Sequence, residues 1–168
     1  MAGAFIQPYL TTRCMNQQNH IAIVDDHSMF RKGLGILIDL FPTYKVTLSA
    51  AGGDDFIRQL KDTLLPDIVL IDIAMPGMDG YTLCAWVRAN HPSIRTLALS
   101  TMDSEVSIIR MFNAGARGYL HKDAEPAELK LAFEEVMAYG YYFHEAMTRK
   151  LFRHPAADPV EEATGAVK

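Results

Sequence analysis

Five polar residues that lie far apart in the sequence could together carry phosphoryl chemistry. They are two adjacent aspartates, a third aspartate, a serine and a lysine: Asp25, Asp26, Asp72, Ser100 and Lys122. Each one ends or follows a short apolar run. Three carboxylates brought together would repel one another and raise each other's pKa unless a cation lay among them. Because hard oxygen ligands suit Mg²⁺, we expect Mg²⁺, or Mn²⁺ in its place, at this cluster.

The reaction that these residue types favour is transfer of a phosphoryl group to a carboxylate. Asp72 is the central acid and is the candidate nucleophile. A cation held by the acidic pair and the ammonium of Lys122 would stabilise charge on the transferring oxygens, while Ser100 supplies a hydroxyl. Each residue alone also has a plainer explanation, since an Asp pair often forms a turn or helix cap and a lone lysine is usually solvated. Their conjunction at strand ends favours the functional interpretation.

The elements that must position these residues alternate between strand and helix. Residues 21–24 form a short continuous apolar run, which is typical of a strand buried on both faces. The spacing of Phe30, Leu34, Leu37 and Phe41 predicts a helix that Pro42 ends. The same unit then repeats, with further strands predicted at 45–50, 67–72, 96–100 and 118–120, and further helices around 56–60, over 81–90 and 104–113, and from 126.

Five strands alternating with five helices predict an α/β fold with a doubly wound parallel sheet, right-handed crossovers and helices on both faces. In such sheets, ligands bind outside the carboxyl ends of the strands. The five polar residues all fall at that edge of the predicted sheet.

Composition excludes several other classes of protein. The chain has 168 residues, 49% of them hydrophobic, which is enough for a core and unlike a disordered chain. Its net charge of −4 disfavours direct binding to a nucleic-acid backbone. Two cysteines are too few for a disulfide scaffold and favour a cytoplasmic location. No apolar run is long enough to span a bilayer, and the first 19 residues lack the pattern of a signal peptide, so we expect no membrane partner.

Four segments resemble the receiver domain of two-component response regulators. They are IVDDH (23–27), DIAMPGMDG (72–80), LS (99–100) and GARGYLHK (115–122), and they occur in the family's order with suitable spacing. The resemblance runs from about residue 20 to 143, and the loop after Asp72 is its most specific part. It implies a flavodoxin-like (CheY-like) sheet of strand order 2-1-3-4-5.

The resemblance also implies roles for single residues. Asp72 would be the phospho-acceptor, and the backbone carbonyl of Ala74 would join the three aspartates as a Mg²⁺ ligand. Lys122 would be the family's lysine, and Ser100 the hydroxyl that turns toward the phosphoryl group. Tyr119 matches the aromatic switch that swings inward when this hydroxyl moves. The alternative for Tyr119 is a strand residue packed against the last helix.

In such a protein, a sensor histidine kinase or a phosphotransfer protein would donate the phosphoryl group. Phosphorylation would shift a pre-existing equilibrium, remodel the face of helix four, strand five and helix five, and allow a homodimer to form through helices four and five or through helices one and five. The chain would not be an enzyme in the ordinary sense, since it would only accept the phosphoryl group and promote its own dephosphorylation.

Asp123 stands where many receivers have proline, and segment 115–123 resembles regulators with a LuxR-type helix-turn-helix output. That output would need three helices of about 11–12 residues each plus turns, which is more than the residues after Met147 can provide. We therefore expect DNA contact only through an output domain that this chain lacks. The chain would be either a longer regulator cut at its linker or a single-domain regulator.

The expected organisation has three parts. Residues 1–19 form a poorly ordered N-terminal extension in which Met15 would be a natural start, residues 20–143 form the receiver, and residues 144–168 form a C-terminal helix and linker.

Two other functions remain to be weighed. A Mg²⁺-dependent phosphohydrolase of the haloacid dehalogenase type also uses an aspartyl phosphate, but it needs a second acid where this chain has Ala74. A degenerate receiver would act only in docking or dimerisation, and such a module would have no need of all five polar residues.

Overall fold

The structure is a computed structural model that describes residues 18–101 and 104–144. Its centre is a five-stranded parallel sheet of order β2-β1-β3-β4-β5. The strands are β1 (Asn19–Val24), β2 (Tyr44–Ala50), β3 (Ile68–Asp72), β4 (Arg95–Ser100) and β5 (Gly118–His121). The helices are α1 (Ser28–Asp39), α2 (Gly53–Leu60), α3 (Gly80–Asn90), α4 (Glu105–Ala114) and α5 (Pro126–Tyr139). The predicted fold class and strand order are confirmed.

The sheet separates two hydrophobic cores. One core contains apolar residues of α2, α3 and α4, and the other contains those of α1 and α5. The central strand β3 supplies both, because Val69 and Ile71 face the first core while Ile68 and Leu70 face the second. This double burial explains why its sequence is continuously apolar instead of alternating.

The edge strand β2 shows the alternation that its sequence predicts. Leu48 and Ala50 are buried, whereas Ser49 between them is exposed. The register with β1 shifts between Val46 and Leu48, so Tyr44 and Val46 contribute to the core of α1 and α5, whereas Leu48 and Ala50 contribute to the core of α2, α3 and α4. The strand lies at the edge of the sheet, as its partly exposed sequence predicts.

Helix α1 ends earlier than its apolar spacing predicts. It stops at Asp39, and the N–H of Phe41 then donates to the carbonyl of Ile38 at 2.9 Å in a tightened last turn. Phe41 still packs against the core of α1 and α5 from beyond the helix. The apolar spacing therefore included Phe41, and the predicted helix was two residues longer than α1.

The end of α4 agrees with the sequence-based prediction. Gly115 adopts φ 117°, a left-handed conformation that side chains rarely tolerate, and its N–H donates to the carbonyls of Met111 and Phe112 at 3.1 and 3.0 Å. The turn returns the chain to the sheet as β5.

The predicted extensions fall almost entirely outside the described residues. Asn19, which we assigned to the N-terminal extension, instead opens β1 and pairs with Tyr44 of β2. Residues 1–17 and 145–168, including Met15 and the predicted linker, lie outside the described ranges. Among the described residues, no helix is long and apolar enough to cross a membrane.

Candidate functional site

The parallel register brings the predicted site residues to one edge of the sheet. Asp25 directly follows β1, Asp72 is the last residue of β3, Ser100 is the last residue of β4, and Lys122 directly follows β5. Val24 pairs with Ile71, and Ser100 pairs with His121. Because neighbouring strands end level with one another, residues distant in sequence meet at the carboxyl edge.

Lys122 lies between two buried carboxylates. Its Nζ is 2.7 Å from Asp25 Oδ2 and 2.8 Å from Asp72 Oδ2, and its side chain is only 9% exposed. A buried lysine is rare unless it is paired, and this one has two acidic partners. The ammonium therefore links the carboxyl ends of β1 and β3 at the site.

The same geometry sets the protonation of the lysine and of the central acid. Burial raises the pKa of Asp72 above its ordinary value, although the hydrogen bond and charge of Lys122 act in the opposite direction. Burial also works to lower the pKa of Lys122, but its hydrogen bonds and charge interactions with Asp25 and Asp72 prevail and raise it. Lys122 is consequently charged at neutral pH.

An acidic cluster stands beside this lysine. Asp25, Asp26, His27 and Asp72 each offer one ligand atom, and these four atoms all lie within 4.8 Å of one another. Asp26 Oδ1 is buried and receives no hydrogen bond, although His27 Nδ1 lies 3.2 Å from it. Buried carboxylate oxygens without hydrogen-bond donors are costly, and the three carboxylates fit the oxygen-ligand preference of a divalent cation such as Mg²⁺.

The loop after β3 is packed tightly against the candidate nucleophile. The N–H of Ala74 donates to Asp72 Oδ1 at 3.2 Å, and the N–H of Gly80 donates to the carbonyl of Ile73 at 3.0 Å. A Cβ on Gly80 would lie 2.4 Å from the carbonyl oxygen of Asp72, so only glycine fits. The Asp79 carboxylate accepts from the N–H of Thr82 at 2.8 Å and caps α3. The role of the Ala74 carbonyl as a metal ligand stays a prediction.

The two predicted switch residues are both buried. Ser100 closes β4 at the site, and its backbone carbonyl accepts from the N–H of Lys122 at 2.8 Å. Tyr119 is 4% exposed and belongs to the core formed with α2, α3 and α4, together with Ile108 and Met111 of α4. Tyr119 does not pack against the last helix in this structure, because α5 lines the opposite core. The switching roles of Ser100 and Tyr119 stay predictions.

Three residues of α1 or its N-terminus also lie at the site. The sequence indicated only His27, which follows the acidic pair, as a residue beside the site, and it assigned neither Phe30 nor Arg31 there. His27 contributes to the acidic cluster, and Arg31 donates from Nη1 to the backbone carbonyl of Asp25 and from Nε to Ser49 Oγ at 3.1 Å. The ring centroid of Phe30 lies 4.9 Å from the Nζ of Lys122. The only available sequence signal was their position in the first turn of the helix that follows the acidic pair.

Comparison with known proteins agrees with this geometry. The family model of the response regulator receiver domain matches residues 21–134. The chain belongs to the response regulator receiver domain family, as its motifs predicted.

The most similar relatives include response regulators and transcriptional regulatory proteins of bacteria. The nitrate/nitrite response regulator protein NarL of Escherichia coli (strain K12) is 35% identical over 128 residues, which cover 76% of this chain and 59% of that protein. The transcriptional regulatory protein DegU of Brevibacillus brevis is 30% identical over 133 residues, covering 79% of this chain and 56% of that protein. The chain thus spans less than two thirds of the length of these curated relatives.

A solved structure gives the same classification. A two-component response regulator of the LuxR family from Aurantimonas sp. SI85-9A1 has a TM-score of 0.73 and 31% identity, covering 80% of this chain and 96% of that one. The predicted resemblance to receivers of LuxR-type regulators is confirmed.

Proposed function

We propose that this receiver accepts a phosphoryl group on Asp72 from the phosphohistidine of a sensor histidine kinase or a phosphotransfer protein. The observation that carries the proposal is the pairing of the buried Asp72 carboxylate with the Lys122 ammonium at 2.8 Å, beside a buried carboxylate oxygen of Asp26 that receives no hydrogen bond. Phosphoryl transfer to an acid requires a nucleophile, a fixed positive charge and an oxygen atom that can bind a divalent cation.

In the transfer, a bond forms between a carboxylate oxygen of Asp72 and phosphorus, while the bond between phosphorus and the donor's imidazole nitrogen breaks. The imidazole leaves with that electron pair. Lys122 lies where it can turn from the carboxylate to a phosphoryl oxygen and balance its charge. Bound Mg²⁺, held by Asp25, Asp26, Asp72 and the Ala74 carbonyl, would neutralise further charge on the phosphoryl oxygens.

The response to phosphorylation would pass from Ser100 to Tyr119 and then to α4. The Ser100 hydroxyl would turn toward the phosphoryl group, and Tyr119 would repack against α4, with which it already shares a core. The surface of α4, β5 and α5 would then favour a second arrangement. Hydrolysis of the labile acyl phosphate by water, promoted by the same site, would reset the domain.

The output of this switch would be transcriptional. Relatives of this chain include a transcriptional regulatory protein and a LuxR-family response regulator, so we infer that a DNA-binding domain joined to this receiver would control target genes. Phosphorylation would favour a homodimer, and the chain would act in the cytoplasm. A docking module without phosphoryl chemistry is the alternative that an experiment must exclude.

The experiment is phosphorylation of the full chain by acetyl phosphate with and without Mg²⁺. Intact-mass spectrometry should show an adduct of about 80 Da that requires Mg²⁺ and is absent from Asp72→Asn. Asp62→Asn, an exposed acid away from the site, is the matched control and should be phosphorylated normally. An adduct that survives Asp72→Asn would refute the assignment.

Two further measurements separate the alternatives. Binding of beryllofluoride that depends on Mg²⁺ and on Asp72 would be expected of the switch and not of a docking module. Sustained turnover of p-nitrophenyl phosphate would instead support a phosphohydrolase.

A further inference from the structure

We propose that Phe30 is a positioning residue for phosphoryl transfer, because its ring holds the Lys122 ammonium against Asp25 and Asp72. Lys122 Nζ lies over the Phe30 ring, 4.9 Å from its centroid. The ring belongs to α1, whereas the lysine follows β5 and the two acids follow or end β1 and β3. The rate consequence of this proposal rests on the function proposed above, but the contact itself does not.

The contact is of a kind that attracts a buried ammonium. The face of an aromatic ring carries negative charge density and binds cations within about 6 Å of its centroid. An ammonium has three donors, and the two carboxylates at 2.7 and 2.8 Å engage only part of this capacity. Since the side chain of Lys122 is 9% exposed, little water competes with the ring for the remaining charge.

The surroundings of the ring show what its loss would allow. A mostly apolar cleft of about 250 Å³ lies between α1, β5 and the start of α5, and Phe30, Leu34, Leu37, Leu129 and Lys122 are among its lining residues. A smaller or non-aromatic side chain at position 30 would enlarge this cleft beside the lysine stem. The ammonium would then lose its aromatic partner and gain freedom to leave the carboxylates.

The effect should fall on the reaction and not on the acids themselves. Lys122 has to remain beside Asp72 while negative charge develops on the transferring oxygens. A lysine that spends less time there slows the transfer. The cation–π contact of the ring is with the lysine, so we expect the carboxylates that we assign to the cation to keep their positions.

A purely structural role for Phe30 makes a different prediction. The residue is half-buried and packs against the core of α1 and α5. If packing were its whole role, an aliphatic side chain of similar size would replace it without affecting Lys122. Aromaticity at position 30 is therefore the property to vary.

The experiment compares Phe30→Leu, Phe30→Tyr and Leu37→Ala in the full chain. Leu37→Ala is the matched control, because it enlarges the same cleft and has no ring contact with the lysine. The first measurement is the proton chemical shift of the Lys122 ε-methylene in a ¹H–¹³C spectrum, which a ring lying beneath the ammonium moves upfield. The second is the initial rate of phosphorylation by acetyl phosphate with Mg²⁺.

We expect Phe30→Leu to abolish the upfield shift and to slow phosphorylation at least about fivefold, since a cation–π contact is worth about 1 kcal/mol at an exposed site and more at a buried ammonium. Phe30→Tyr should restore the shift and bring the rate within about twofold of the parent protein. Leu37→Ala should retain both the shift and the rate. Thermal melting of each variant verifies that the fold is intact.

Three results would overturn the proposal: an unchanged rate in Phe30→Leu, an equal loss in Leu37→Ala, or a Lys122 shift that does not depend on the ring. If the parent protein is not phosphorylated at all, the proposed function fails, and the ε-methylene shift still decides whether Phe30 positions Lys122.

Discussion

Replacing Lys122 with methionine tests whether its ammonium holds the carboxylate cluster together. The side chain is 9% exposed and lies 2.7 and 2.8 Å from oxygens of Asp25 and Asp72. Methionine keeps much of the apolar stem but leaves the two buried acids without their shared cation. Removing one partner of a buried ion pair costs about 3–5 kcal/mol, and we expect about 3 kcal/mol here because the site lies at an open edge of the sheet.

This loss can be measured by urea unfolding at neutral pH. With a slope of about 1.5 kcal/mol per molar urea, a loss of about 3 kcal/mol lowers the midpoint by about 2 M. Lys45→Met is the matched control, since Lys45 is half exposed and pairs at 2.9 Å with Asp39 on the surface. That pair is expected to contribute about 1 kcal/mol or less.

The pH dependence of the variant follows from the raised pKa of Asp72. An acid whose pKa is raised on folding favours the folded state below its ordinary value of 3.8, and that contribution is lost as the pH rises through the folded value. Without Lys122 the pKa of Asp72 should rise further, so the deficit of the variant relative to the parent should be smaller in mild acid than at neutral pH. Added Mg²⁺ should stabilise the variant more than the parent, because the cation replaces the missing charge. A deficit no larger than that of Lys45→Met, or one that does not change with pH, would refute this reasoning.

Three further predictions concern packing and reactivity. Gly80→Ala should destabilise the fold by about 2 kcal/mol in urea unfolding and slow phosphorylation, because its Cβ would lie 2.4 Å from a backbone carbonyl oxygen of β3. Gly33→Ala is the control and should not destabilise the fold, because its Cβ would have no neighbour within 4 Å. Tyr142→Phe should cost about 1 kcal/mol in the same assay, since the buried phenol donates to Glu128 Oε1 at 3.1 Å; an unchanged midpoint would show that this bond contributes nothing. Burial raises the pKa of the Cys84 thiol to about 11, so iodoacetamide should not alkylate it in the native chain at neutral pH but should alkylate it in urea. Peptide mapping measures this, and rapid alkylation of the native chain would contradict the burial of the thiol.

The sequence predicted those features that depend on chain order and periodicity. The apolar run of β3 required a strand buried on both faces, and a parallel sheet then necessarily placed Asp25, Asp72 and Lys122 at one edge. Helix bounds were predicted to within about three residues, because the ends of a helix carry a weaker sequence signal than its apolar spacing. The clearest difference was α1, where Phe41 contributes to the core without being helical.

Contacts between side chains from different elements could not be predicted in the same way. The alternation along β5 shows that Tyr119 and Leu120 face opposite sides of the sheet, but not which helices cover each side. The position of Tyr119 against α4 and the approach of Phe30 to Lys122 depend on how the helices pack on the sheet. The spacing of apolar residues within one segment does not predict that arrangement.

The charges at the site show why a cation is expected before phosphorylation. Asp25, Asp26 and Asp72 contribute −3 when ionised and Lys122 contributes +1, which leaves −2 among these four side chains. Asp72 must be ionised to attack phosphorus, yet burial raises its pKa and Lys122 only partly opposes this. A divalent cation among the three acids would balance the remaining charge and lower the pKa of Asp72. The lysine and the cation are therefore expected to act together, with the lysine holding the acids in place and the cation lowering the pKa of the nucleophile.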